Sequence, residues 1–105
     1  MEQYFIYDHR LGIQIPDLKK EWEHYSYEEQ QDILLKWEKI RGHIPDRIKE
    51  LEAIINTKQA QLSSESNFLV SCQLNTEIAE LASIINDLWL WYRANQGVSS
   101  KVHLS

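Results

Sequence analysis

The sequence predicts an all-α domain: a long antiparallel helical hairpin whose first helix is bent near Pro45, with a short N-terminal helix and an extended N-terminal arm. On dimerisation the hairpin is expected to form a four-helix bundle. Three observations lead there. Apolar residues recur at helical spacing over two long segments, a short polar stretch separates those segments, and the second ends in a run that is apolar on every side. The predicted boundaries make residues 1–97 one helical domain: an arm or β-hairpin over 1–16, a short helix over 17–25, long helices over 26–63 and 67–96, and a flexible tail over 98–105.

The arm rests on the β-favouring cluster Tyr4-Phe5-Ile6-Tyr7 and on the alternation Ile13-Gln14-Ile15, separated by a polar stretch and Gly12. An isolated two-stranded ribbon is marginal in water, so its aromatics should pack on the helices. Pro16-Asp17 suits a helix start, since proline is tolerated in the first turn and aspartate complements the positive end of the dipole. Leu18 and Trp22 then share a face. Ser26 with Glu29 reads as a capping box, which opens the first long helix.

From that cap the stripe runs Ile33, Trp37, Ile40, Ile44, Ile48, Leu51, Ile55 and Leu62, with Lys58 in one apolar place. Gly42 and Pro45 fall inside it, and an interior proline costs about 3 kcal/mol in an isolated helix. The apolar phase nevertheless does not slip across them, as it would across a loop, so one bent helix is predicted rather than two. Ser63 to Asn67 is rich in turn and capping residues and reads as the connection. The last helix carries Val70, Leu74, Ile78, Leu81, Ile85, Leu88 and Tyr92, with Gly97 as its natural stop. Its length needs a partner along all of it, which again favours an unbroken first helix. Folding the chain at residue 65 places Leu88 and Trp89 near Arg41 and Gly42, where the glycine would leave room for an indole.

Leu88-Trp-Leu-Trp-Tyr92 is apolar all round and needs cover on several sides. Beside the main seam lie Cys72, Ala79, Ala82, Ser83 and Asn86, small or polar residues that let helix axes approach closely. A homodimer is therefore expected, built on Ala79, Ala82, Asn86 and Leu90, with Trp89 or Trp91 at its edge.

Few residues suggest chemistry. Glu21-x-x-His24 has the spacing of a carboxylate–imidazole pair on one helical face, as in di-iron bundles, and a dimer would supply the second copy with Glu77 or Glu80 as further ligands. A single such pair on a polar segment is more simply solvated, so no metal or other cofactor is expected. His43 and Asp46, between Arg41 and Arg47, either act on a ligand or satisfy backbone groups freed by Pro45; the second reading is the simpler. Lys36, Lys39, Arg41, Arg47 and Lys49 against Glu38 and Asp46 leave a local excess of three positive charges, which an exposed helix face explains as well as phosphate does. His9 and His103 fall in a turn and in the tail. Cys72 could have a lowered pKa near the helix start, but a buried structural thiol is the simpler reading. Trp22, Trp37, Trp89 and Trp91, beside aliphatic residues at helical spacing, read as core rather than as a ligand pocket.

The chain has no phosphate-binding glycine loop, no nucleophile elbow and no zinc-type cysteine spacing, so no enzymatic activity is expected. A net charge of −5 disfavours nucleic acid and anionic membranes as partners. One cysteine needs no oxidising compartment, the N-terminus lacks a basic start and a long apolar run, and the longest uninterrupted apolar run is too short to span a bilayer, so a cytoplasmic location is expected. The functional expectation is a non-enzymatic helical protein–protein interaction module, a small regulator or adaptor with an unidentified protein partner. The alternative is a ligand- or metal-binding helical bundle.

Overall fold

A computed structural model describes residues 3–104 of the chain, with side chains through residue 94. Two long helices pack against each other, α1 (Tyr27–Ser64) and α2 (Phe68–Leu104), preceded by a two-stranded antiparallel sheet of β1 (Phe5–Asp8) and β2 (Ile13–Pro16) and one 3-10 turn at Trp22–His24. The molecule is a rod, 59 Å long and 23 by 20 Å across.

The arm is a β-hairpin in the register Phe5 to Pro16 through Asp8 to Ile13. Its turn closes because Asp8 accepts twice, from Gly12 N at its carbonyl (2.7 Å) and from Leu11 N at its side chain (2.9 Å). Gly12 sits at φ 77°, a left-handed conformation that glycine adopts without steric cost. Phe5, Leu11 and Ile13 point into the core, while Ile6 and Tyr7 face solvent.

The expected short helix over 17–25 does not form as drawn. Asp17 N instead donates to Tyr4 O, extending the strand pairing, and Lys19 N and Lys20 N both donate to the Tyr25 hydroxyl. With its backbone donors drawn off in this way, the segment keeps only the single 3-10 turn, which buries Trp22 and ends beside the buried Tyr25.

α1 begins at the expected place, with Ser26 Oγ accepting from Glu29 N and Glu29 Oε1 accepting from Ser26 N. It runs unbroken through Pro45. Its buried residues, Ile33, Trp37, Ile44, Ile48 and Leu51, belong to the predicted stripe. α2 opens at Asn67, whose side-chain oxygen accepts from Leu69 N and Val70 N. Its helical backbone continues past Gly97, the expected stop, to Leu104; a glycine permits the left-handed cap but does not impose it. Of the expected flexible tail over 98–105, residues 98–104 continue the helical backbone and residue 105 lies outside the described residues.

The core holds Trp37, Ile44 and Leu88 without solvent exposure, and Trp91 meets Trp37 edge to face at 5.7 Å. Arg41 lies 4.8 Å over the ring of Tyr92, so the helices meet slightly further along α2 than a fold at residue 65 implies. No indole fills the space at Gly42, where nothing lies within 4 Å of the Cβ position. The sheet and the 3-10 turn pack on the end of the hairpin away from its connection. Tyr4 Oη donates to Glu29 (2.7 Å), Gln30 Nε2 to Trp22 O (2.9 Å) and Arg47 Nε to Leu11 O (2.9 Å). Nearer the connection, Ile54, Phe68, Leu69 and Val70 are exposed.

Candidate functional site

α2 has two faces of different use. The inner one supplies Leu74, Ile84 and Leu88 to the interior, with Leu81, Ile85 and Tyr92 packed beside them. The outer one carries Phe68 and Leu69 at 77% and 76% exposure near its start and Leu90 and Trp89 at 55% and 39% near residue 90, with exposed Cys72, Ala79, Ala82, Ser83 and Asn86 between. Bulky apolar ends thus flank a middle of small side chains.

The acids of α2 are tied to cations from elsewhere in the chain. Arg10, in the β-hairpin turn, donates to Asp87 Oδ2 (2.7 Å), Glu80 Oε1 (3.0 Å) and Ser83 Oγ (3.0 Å). The bond to Asp87, then that to Glu80, raises the proton affinity of the guanidinium further. Lys58 Nζ donates to Glu77 (2.9 Å), and this bond, followed by one from Gln73, holds the Glu77 carboxyl below its usual range. The sequence reading did not anticipate the Arg10 clamp, because nothing local to the hairpin turn indicates which helix the arm will meet.

Of the expected interface residues, Ala79, Ala82, Asn86, Trp89 and Leu90 do face solvent on α2. Trp91 does not share their position. It turns inward onto Trp37 and lines, with Leu11, Ile15, Leu90 and Arg10, an open pocket of about 540 Å³ between the β-hairpin and α2. Trp22 and Trp37 are core, as read from sequence, while Trp89 is exposed and stacks edge-on with Tyr92 at 5.5 Å. Cys72 is exposed rather than buried, since it lies on the face of α2 away from α1.

The metal candidates are not assembled. Glu21 and His24 are exposed on a 3-10 turn, which at three residues per turn lacks the α-helical face their spacing invoked. Glu77 and Glu80 are held by Lys58 and Arg10, and among the described residues no group of three His, Cys, Asp or Glu side chains could hold a metal ion. Arg41 and Arg47 also part company: Arg41 bonds Glu38 and covers Tyr92, whereas Arg47 reaches the β-hairpin turn. His43 and Asp46 are exposed beside them, and His9 meets Tyr7 edge to face.

The stretch Phe68–Ala94 is, by length and composition alone, long and apolar enough to cross a membrane, although its longest uninterrupted apolar run is short. No family model, curated protein or solved structure matches the chain.

Proposed function

We propose that this protein is a non-enzymatic helical interaction module, a small regulator or adaptor of the cytoplasm, whose working surface is the outer face of α2 and which forms a homodimer through it. The observation that carries this reading is the pair of exposed apolar clusters, Phe68 with Leu69 and Trp89 with Leu90, on a helix that has already spent its other face on the core. Large apolar side chains left exposed at both ends of one helix face support an association site there.

Charge supports a protein partner over a bilayer. Glu77, Glu80 and Asp87 are bonded to Lys58 and Arg10, so α2 could enter a membrane only by breaking these pairs or taking them along. Against the metal-binding alternative, no group of three His, Cys, Asp or Glu side chains among the described residues could hold a metal ion.

The test is mass in solution by light scattering over a range of concentrations, for the parent and for Ala82→Arg. The parent is expected to shift to dimer as concentration rises. Ala82→Arg should remain monomeric with an unchanged helical signal, because Ala82 is exposed in the single chain and a charge there is buried only on association. A parent that stays monomeric at the highest concentration overturns the homodimer.

A further inference from the structure

Resting on that homodimer reading, we infer that the two copies of α2 pair antiparallel about a two-fold axis at Ala79. Residues on the outer face match in kind when one copy is reversed on the other around this point. The Phe68–Leu69 cluster falls opposite the partner's Trp89 and the partner's Leu90, and Cys72 opposite the partner's Asn86. Both bulky clusters, exposed in the single chain, then cover each other, while small residues near the axis let the backbones approach to about 8 Å.

Charge selects the same direction and register. Arg93 is exposed, and among the described residues its guanidinium bonds only the carbonyl of Trp89 on its own helix. The antiparallel register carries it past the start of α2 in the partner subunit to the connection with α1, where Glu65 of the partner subunit, among the described residues, accepts from Asn67 N alone. Each dimer thus gains two cross-subunit pairs of opposite sign. A parallel pairing would stack Glu65 on Glu65 and Arg93 on Arg93, and would also align the two helix dipoles unfavourably.

The area is of the right order. With roughly 150–250 Å² for a large aromatic side chain, the exposed parts of Phe68, Leu69, Trp89 and Leu90 come to on the order of 450 Å² per chain. With the small residues between them, this approaches the ~800 Å² per partner of a specific interface.

Disulfide trapping of the full chain reads the register directly. Ala79→Cys in a Cys72→Ser background places two thiols across the axis, within the reach of a disulfide, and should give a covalent dimer under mild oxidation. The parent should give none, because its Cys72 lies about 21 Å along the helix from the partner's Cys72. Charge reversal is the second arm: E65R and R93E should each weaken the dimer by about fivefold, and the double variant should restore it. Covalent dimer from the parent shows parallel helices and overturns the inference. A dimer by light scattering that the Ala79→Cys variant does not trap, or that the double charge-reversal variant does not restore, overturns the register and leaves the proposed function standing. A chain that stays monomeric, or associates only on lipid vesicles, overturns both.

Discussion

Pro45→Ala is a direct trial of α1 as one helix. Inside a helix, proline leaves the carbonyl four residues back, here that of Arg41, without its donor and crowds it with the ring. The cost relative to alanine is about 3 kcal/mol in host helices, a value that already contains the stiffening of the unfolded chain. Against this, Pro45 is half-buried beside Ile44, and shortening its ring removes two methylenes worth about 0.8 kcal/mol each when fully buried, so about 0.8 kcal/mol in total at half burial. The net expectation is stabilisation by about 2 kcal/mol. At about 4–8 °C per kcal/mol for a domain of this size, Tm should rise by about 10 °C. Thermal melts followed by far-UV circular dichroism measure this, at one protein concentration so that self-association does not confound the comparison. A variant that melts lower, with less helical signal, would refute the reasoning, because it would mean that proline is helping to start a second helix rather than interrupting one.

Leu88→Ala should cost about 3–5 kcal/mol in urea denaturation, since Leu88 is fully enclosed and a rod this thin has little around it that can collapse into the cavity. Gly12→Ala should lose about 1–2 kcal/mol from the left-handed backbone alone, and more from displacing Arg47, whose Nε would lie 2.5 Å from the new Cβ; an unchanged Tm would show that the hairpin turn is not held as described. Acid should destabilise the fold. Tyr4, then the backbone of Ser26, lowers the pKa of Glu29, and Lys58, then Gln73, lowers that of Glu77, so both carboxylates favour the folded state above the ordinary carboxylate range and lose that contribution as pH falls through their lowered values. Glu29→Gln with Glu77→Gln should flatten the acid limb of a Tm-against-pH profile, and an unaltered limb would remove these two groups from the explanation.

The parts of the fold that the sequence displayed are those decided within a turn or two of the chain. Ser26 and Glu29 satisfy each other's backbone, Asn67 caps the next helix, and the apolar phase from Ile33 to Leu51 passes Pro45 without a slip, so each signal sits beside the feature it specifies. The segment after Pro16 misled because its helix-start residues compete with donors and acceptors distant in sequence: Tyr4 takes the N–H of Asp17, and the Tyr25 hydroxyl takes two more. For Trp91 the sequence allows both the core and, as one of two tryptophans, the edge of an interface, because periodicity alone does not say which side of α2 faces Trp37. The Arg10 clamp spans 70 to 77 residues and depends on where the β-hairpin docks, which no local pattern in either segment encodes.

That clamp bears on why an acidic chain could associate with itself at all. A chain of net charge −5 repels its copy, and an antiparallel pairing at Ala79 brings the acids of both α2 helices near one line of contact. On α2 the three acids that would matter, Glu77, Glu80 and Asp87, each bond a cation delivered from α1 or from the β-hairpin. The β-hairpin therefore does two things at once: it covers the open end of the helical pair with Phe5, Leu11 and Ile13, and through Arg10 it offsets part of the charge of Glu80 and Asp87 on one flank of the exposed face. Arg10→Ala separates the two roles, since its guanidinium is exposed and lies outside the hydrophobic core. The variant should fold with the same helical signal yet dimerise more weakly, with the deficit shrinking as added salt screens the uncovered carboxylates. If its deficit did not respond to salt, Arg10 would be acting by holding the β-hairpin in place rather than by its charge.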